Sequence, residues 1–146
     1  MTQEKLQELL VKAKNIQKNA YVPYSQFRVA AIVILKNNQE IAGVNIENAS
    51  FPAGICAERT ALAQIITLGY DKNDIDALFL ITDSSGLGSP CGVCRQFMIE
   101  VMPLEAIVYM SSFNTNDIAD IKRVKVKDLL PFAFVRNSLK GNNNHG

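Results

Sequence analysis

Apolar residues recur with two different periods along the chain, and the change of period separates predicted helices from predicted strands. Residues 2–19 carry apolar side chains at helical spacing, with Thr2 as the predicted N-cap. Residues 27–35 (FRVAAIVIL) and 40–45 are typical of strands, and the polar stretch 36–39 between them predicts a hairpin turn. The first third of the chain therefore predicts a helix followed by a β-hairpin.

The remaining pattern predicts two more helices, at 54–68 and 90–102, and three more strands, at 75–82, 106–110 and 121–126. Gly69 is the predicted C′ residue of the first of these helices, and Pro90 is placed at the first position of the second. The strand at 75–82 is apolar almost throughout, which predicts a central place in the sheet. Residues 129–134 (LLPFAF) are expected to close the core. The order predicts one α/β domain around a mixed five-stranded sheet.

Composition restricts the classes of protein that fit this pattern. The chain has 146 residues, 48% hydrophobic and 20% charged, with a net charge of +1. This balance favours a single globular domain and indicates neither a nucleic-acid partner nor a membrane surface. No apolar run reaches the roughly 20 residues that span a bilayer, and MTQEKLQELL lacks the layout of a signal peptide. We expect a cytoplasmic protein with a polar, flexible tail over 136–146.

Cysteine and histidine usage narrows the chemistry further. The chain has three cysteines, Cys56, Cys91 and Cys94, and an odd number in this context argues against a disulfide framework. Its one histidine, His145, lies in the tail, so Ser–His and Cys–His nucleophilic schemes are hard to build. A closed structural zinc site needs four ligands. Three cysteines with one position left for water instead indicate a catalytic zinc site.

The stretch ICAERT, residues 55–60, supplies the other groups that such a site needs. Glu58 is too close to Cys56 to share the metal comfortably, but it can reach the water and act as a general acid–base. Arg59 and Arg95 follow the ligands, and a guanidinium bonded to the thiolates would withdraw their excess electron density. Both ligand groups lie at predicted helix N-termini, where the dipole favours thiolates.

Each of these residues, taken alone, has a simpler interpretation as buried filler or surface charge. The CGVC segment is also typical of thioredoxin-like redox motifs. That alternative places the motif after an early strand and leaves the Cys56-x-Glu58 pair unexplained. Taken together, Cys-x-Glu followed by Pro-Cys-x-x-Cys is much more specific than any of its parts.

Four sequence blocks carry a resemblance to a known family: YVPYSQFRV (21–29), NIENASFPAGICAERTAL (45–62), SPCGVCRQ (89–96) and LLPFAF (129–134). With the Cys-x-Glu and Pro-Cys-x-x-Cys motifs, the chain resembles the small homotetrameric zinc-dependent cytidine deaminases. The resemblance implies a three-layer α/β fold with helices on both faces of the sheet, and a catalytic domain over residues 1–135.

The resemblance also implies a role for each matched residue. One Zn²⁺ per chain would be bound by Cys56, Cys91 and Cys94, with Glu58 as the proton shuttle. The substrate contacts that it implies are Phe27, Asn45, Glu47, Ala57, Phe51 and Phe134, with the backbone near Ser89. Two positions depart from the common family pattern: Ala30, where a glycine is frequent, and Phe51, where a tyrosine is common.

The reaction implied is hydrolytic deamination of cytidine and 2′-deoxycytidine, with release of ammonia, in pyrimidine salvage. Homotetramers of the family complete each pocket with residues from neighbouring subunits, and neither nucleic acid nor membrane is an expected partner. Two alternatives stay open at this point: a blasticidin-S-type nucleoside deaminase, and a thiol redox or zinc module without enzyme activity. The sequence does not rank cytidine against 2′-deoxycytidine.

Overall fold

A five-stranded sheet with helices on both faces organises residues 1–141, which are the part of the chain that the computed structural model describes. The strands are β1 (Val29–Leu35), β2 (Glu40–Val44), β3 (Ile75–Thr82), β4 (Ile107–Ser112) and β5 (Lys122–Lys125). The helices are α1 (Gln3–Gln17), α2 (Ala57–Thr67), α3 (Gly92–Val101) and the short α4 (Val126–Leu129). His145 lies outside the described residues.

The strands lie in the order β2-β1-β3-β4-β5, so β3 is central, as its continuous apolar sequence predicted. β1 is antiparallel to both β2 and β3, β4 is parallel to β3, and β5 is antiparallel to β4. The sheet is therefore mixed, as expected. α3 provides the crossover between the parallel strands β3 and β4, which a two-residue turn cannot join.

Alternation along the strands divides the buried residues into two cores. Ala31, Val33 and Leu35 of β1 belong to the core shared with α2 and α3. Ala30, Ile32 and Ile34 of the same strand belong to the core formed with α1. Each fully buried aliphatic side chain stabilises the fold by about 1.5–3 kcal/mol. The three-layer architecture is thereby confirmed.

Two predicted helix ends are confirmed. The Oγ1 atom of Thr2 accepts a hydrogen bond from the backbone N of Lys5 at 3.1 Å, so Thr2 caps α1. Gly69 follows the C-cap Leu68 of α2 with φ of +89°, a conformation that favours glycine.

Two predicted helix starts are wrong, and both errors lie next to a cysteine. α2 begins at Ala57 rather than residue 54, because Ile55 exchanges backbone hydrogen bonds with Ile46 at 2.9 and 3.0 Å. α3 begins at Gly92, and Pro90 lies outside it, because Cys91 is extended with ψ of 166° and serves as the N-cap. The helices thus begin immediately after a cysteine in each case.

The segment 129–134 was expected to close the core, and only half of it does, through Leu129, Leu130 and Ala133. Leu129 is buried, but the side chains of Phe132 and Phe134 are exposed, Phe132 completely. Phe132 also has φ of +54°, a region unfavourable for a residue with a Cβ. No helix within residues 1–141 has the length and apolar character needed to cross a membrane.

Candidate metal centre and adjoining cavity

The sulfur atoms of Cys56, Cys91 and Cys94 converge on one point of the structure. All three lie within 4.8 Å of one another, and the Sγ atoms of Cys56 and Cys91 are 3.8 Å apart. A tetrahedral zinc with Zn–S bonds of about 2.3 Å requires sulfur atoms about 3.8 Å apart. The three sulfurs are thus positioned to hold a zinc ion and to leave one coordination position for another ligand.

Two helix N-termini bring these sulfurs together. Cys56 is the N-cap of α2, Cys91 is the N-cap of α3, and Cys94 lies in the first turn of α3. The partial positive charge at a helix N-terminus stabilises thiolates, which are the form that binds metal. The prediction that both groups of cysteines lie at helix N-termini is confirmed, although α2 and α3 begin later in the chain than predicted.

Charge and hydrogen bonding favour a thiolate at Cys56. The neighbouring Cys94 thiol and the Arg59 guanidinium lower the pKa of Cys56 to about 5. The same interaction with Cys56, together with burial, raises the pKa of Cys94. Nη2 of Arg59 lies 3.7 Å from the Cys56 sulfur. The contact proposed between Arg59 and a thiolate is therefore present in the structure.

Arg95 does not make the expected contact with the thiolates. Its Nε donates to the Pro90 carbonyl oxygen at 2.8 Å, its Nη1 to the Leu129 carbonyl oxygen at 2.8 Å, and its Nη2 to Ser89 Oγ at 2.9 Å. Among residues 1–141, no hydrogen bond from Arg95 reaches a cysteine sulfur. Through these three hydrogen bonds, Arg95 instead connects the loop before α3 to α4.

Glu58 is buried beside the sulfur cluster. Its side chain lies in the first turn of α2, is 4% exposed, and places Oε2 at 3.8 Å from the Cys94 sulfur. Burial raises the pKa of the Glu58 carboxyl above its ordinary value. A carboxyl in this position can act as a general acid–base toward a molecule in the adjoining space.

A cavity of about 240 Å³ opens beside the cluster, which suits a small flat molecule. Its lining contains Phe27, Val29, Asn45, Cys56, Ala57, Glu58, Thr82, Ser84, Gly88, Ser89 and Cys91. The structure therefore brings the predicted contacts Phe27, Asn45 and Ala57, and the Ser89 backbone, to the same cavity as Glu58 and two of the sulfurs.

Three other predicted contacts lie elsewhere in the single chain. Glu47 and Phe51 line a neighbouring cavity of about 390 Å³. The Phe51 ring is 77% exposed and makes an edge-on contact with Tyr24 at 5.9 Å between centroids. Phe134 is 58% exposed, and its carbonyl oxygen accepts a hydrogen bond from Gln96. The roles of these residues stay predictions.

Asn45 and Glu47 hold the segment that carries Phe27. Asn45 accepts from the backbone N of Val29 at 2.9 Å through Oδ1 and donates to the Phe27 carbonyl oxygen at 2.8 Å through Nδ2. Glu47 Oε1 accepts from the backbone N atoms of Tyr24 and Ser25 at 3.0 Å each. Hydrogen bonds donated by Ser25 lower the pKa of Glu47. Its Oε2 is not used in these bonds.

Sequence reasoning missed part of the cavity wall, namely Val29, Thr82, Ser84 and Gly88. Gly88 packs against Thr82 so closely that a Cβ atom on Gly88 would lie 2.0 Å from Thr82 Oγ1. The sequence could have indicated residues 82–84 as part of a binding site. Ligands of open α/β sheets bind beyond the carboxyl ends of the strands, and these residues lie at the end of β3.

Comparison with known proteins gives a consistent set of relatives. Residues 3–111 match the family model described as the cytidine and deoxycytidylate deaminase zinc-binding region. A cytidine deaminase of Halalkalibacterium halodurans is 38% identical over 133 residues, which cover 91% of this chain and 96% of that protein. A cytidine deaminase of Mycoplasma genitalium is 44% identical over 95 residues, which cover 65% of this chain and 72% of that protein.

Solved structures agree with these relatives. The crystal structure of a cytidine deaminase from Burkholderia pseudomallei is similar to this chain with a TM-score of 0.81 and 36% sequence identity. The match covers 92% of this chain and 100% of that one.

Proposed function

The chain belongs to the cytidine and deoxycytidylate deaminase family, and we propose from this premise that it hydrolyses the exocyclic amino group of cytidine and 2′-deoxycytidine. The products are uridine or 2′-deoxyuridine and ammonia. The observation that carries the proposal is the buried Glu58 carboxylate, which lines a small cavity next to three convergent cysteine sulfurs.

Zinc bound by Cys56, Cys91 and Cys94 would supply a water of lowered pKa as the nucleophile near neutral pH. Glu58 accepts a proton from the attacking water and delivers it to N3 of the pyrimidine. The oxygen bonds to C4 while the C4–N3 double bond becomes single. Glu58 then takes the second proton from this oxygen and gives it to the amino nitrogen, and the bond from C4 to that nitrogen breaks as the C4 carbonyl forms. Water and cytidine are consumed, and ammonia and uridine are released, so the protons balance.

In this scheme Arg59 partly neutralises the negative charge of the metal ligands. Three thiolates on Zn²⁺ carry a net charge of −1, and the guanidinium beside Cys56 offsets it. Arg95 acts differently, since it holds the loop containing Ser89, which lines the cavity.

Substrate contacts follow from the walls of the cavity. Phe27 packs against the pyrimidine ring, and the backbones of Ala57 and Ser89 contact the base. The polar groups of Asn45 and Glu47 that remain free bind the ribose hydroxyls. The presence of Phe27, Asn45, Ala57 and Ser89 in one cavity supports this arrangement.

A homotetramer would complete the pocket. Phe51 and Phe134 are both largely exposed in the single chain, so their rings are available to contact a neighbouring subunit. The three free cysteines support a reducing, cytoplasmic location, in which the reaction serves pyrimidine salvage. The family match does not favour the blasticidin-S-type alternative or the redox module.

Release of ammonia from cytidine by the zinc-loaded protein, measured with and without a chelator, tests the proposal. We expect release that the chelator abolishes and zinc restores, with one zinc per chain. Blasticidin S and 2′-deoxycytidine are assayed in parallel. Ammonia from blasticidin S but not from cytidine would overturn the proposed substrate, and no ammonia from any of the three would overturn the activity.

A further inference from the structure

A closed set of hydrogen bonds beside the cavity joins Gln17, the last residue of α1, to Arg28 and Asp83. The Nε2 atom of Gln17 donates to Asp83 Oδ1 at 3.0 Å and to the Arg28 carbonyl oxygen at 2.9 Å. The Oδ2 atom of Asp83 accepts from the backbone N of Arg28 at 2.8 Å. The backbone N of Asp83 donates to the Arg28 carbonyl oxygen at 3.1 Å. Both carboxylate oxygens of Asp83 are therefore used.

These bonds continue the sheet where its regular pairing ends. The last pair between β1 and β3 is Val29 with Thr82, and Arg28 and Asp83 lie one residue beyond it. There the Asp83 carboxylate takes the place of a backbone carbonyl as the acceptor for the Arg28 N–H group. Gln17 is only 5% exposed, so its amide needs protein partners, and it finds them in this set.

Both joined segments form walls of the cavity. Phe27 and Val29 flank Arg28, and they line the cavity. Thr82 and Ser84 flank Asp83, and they line it too. The Gln17–Asp83 pair is not part of the lining itself. The hydrogen bonds thus connect the segment that carries Phe27 with the loop that begins at residue 83.

We propose that Gln17 and Asp83 are positioning residues for the deamination reaction. The pair holds Phe27 at a fixed spacing from the loop 83–89, and so keeps the cavity at the width of a pyrimidine ring. The proposal rests on the proposed function for its substrate, although the spacing itself can be measured without activity. Within residues 1–141, no hydrogen bond of the Gln17 or Asp83 side chain reaches a cysteine or Glu58, so the pair is expected to act on substrate binding more than on the chemical step.

The first test replaces Gln17 with methionine, which has similar length and no hydrogen-bond donor. Zinc-loaded Gln17→Met protein is expected to raise the KM for cytidine about tenfold, equivalent to about 1.4 kcal/mol. Its kcat should change by less than about threefold. A cavity of the wrong width weakens binding of the substrate and of the transition state equally, which raises KM and leaves kcat almost unchanged. The zinc content should stay at one per chain.

The second measurement is hydrogen exchange of the backbone amides, which does not depend on activity. In Gln17→Met, exchange should become faster in residues 27–29 and in 83–89, and should be unchanged in α2. Gln64→Met is the matched control, because Gln64 is an exposed residue whose Nε2 also donates two hydrogen bonds, in this case to the carbonyl oxygens of Ala42 and Thr60. This control should leave KM and both segments unchanged.

Asp83→Asn provides a second variant of the same pair. Asparagine replaces one carboxylate oxygen of Asp83 with an NH₂ group, which is a donor and faces the N–H donor of Gln17 or of Arg28. One hydrogen bond is lost, so KM should rise as in Gln17→Met. The double variant should be little worse than either single variant, because both remove the same set of bonds. Unchanged exchange in the two segments, or a KM equal to that of the Gln64→Met control, would overturn the proposal. If the wild-type protein releases no ammonia from cytidine, the proposed function fails, and the exchange measurement alone decides the positioning role.

Discussion

Gly43 of β2 lies so close to Ala57 that a Cβ atom on Gly43 would be 2.7 Å from the Ala57 carbonyl oxygen. The same Cβ atom would be 2.5 Å from the backbone N of Ala61. β2 can therefore pack against the first turn of α2 only because position 43 has no side chain. That turn follows Cys56 and carries Glu58, so the contact determines where the metal site stands relative to the sheet.

Gly43→Ala should displace the first turn of α2. The clash is with backbone atoms, which cannot rotate away, so we expect the free energy of unfolding to fall by about 1–3 kcal/mol. Zinc affinity should fall as well, because Cys56 moves with the turn. Urea unfolding and competition with a chelator measure the two effects. Gly86→Ala is the control, since no heavy atom lies within 4 Å of a Cβ there. Equal stability of the two variants would contradict the prediction.

Glu58→Gln should keep zinc and lose turnover. Glutamine preserves the size of the side chain at the cavity wall but cannot carry a proton between water and substrate. We expect kcat to fall by about 10²–10⁴-fold. Steady-state kinetics with metal analysis of the same sample give the answer. Substantial remaining turnover at one zinc per chain would refute the assignment of Glu58 as the proton shuttle.

Arg59→Gln should weaken the metal site without unfolding the protein. The variant removes the positive charge 3.7 Å from the Cys56 sulfur, so zinc affinity or turnover should fall about 10–100-fold. Arg59→Lys keeps the charge and should lose less. Chelator competition and kcat at saturating zinc are the measurements. If both quantities were untouched in Arg59→Gln, the proposed tempering of the thiolates would be wrong.

Arg95→Lys should destabilise the protein even though charge is kept. One ammonium cannot reach Ser89, Pro90 and Leu129 together, and each lost bond from a charged donor costs about 1.5–3 kcal/mol. The loss should be present in both the zinc-free and the zinc-loaded protein. Thermal unfolding of the two forms measures it. A variant of wild-type stability that had lost only turnover would indicate a direct role in the chemistry instead.

Glu105 should make a small contribution to stability that depends on pH. Lys125 and Lys127 lower the pKa of its carboxyl to about 2, below the ordinary value of 4.5. A carboxyl with a lowered pKa stabilises the fold above its unfolded pKa, and the effect is lost as pH falls through about 2. Glu105→Gln should therefore have a lower Tm than wild type near neutral pH, and the difference should shrink as pH falls toward about 2. High salt should reduce the difference, because the pair is exposed.

The number of cysteines and histidines in the sequence was enough to predict the metal donors. Three cysteines and one histidine in a polar tail left few ways to build a site, and the structure brings Cys56, Cys91 and Cys94 within 4.8 Å. The periodicity of apolar residues predicted every strand and long helix, because a helix or strand that buries one face has apolar residues at a regular spacing. The exact helix starts were missed because the bridge between Ile55 and Ile46 and the extended backbone of Cys91 depend on partners elsewhere in the chain.

The sequence alone thus determined the sulfur donor atoms and the layered fold, and it predicted Glu58 as the proton-transfer group, since these follow from residue chemistry and local period. Only the tertiary structure decided the partners of side chains. Arg59 and Arg95 each closely follow a metal ligand, yet one contacts a cysteine sulfur and the other binds Ser89, Pro90 and Leu129. The Gln17–Asp83 pair joins residues 66 positions apart. Such contacts depend on how distant segments pack, and no local pattern in the sequence specifies them.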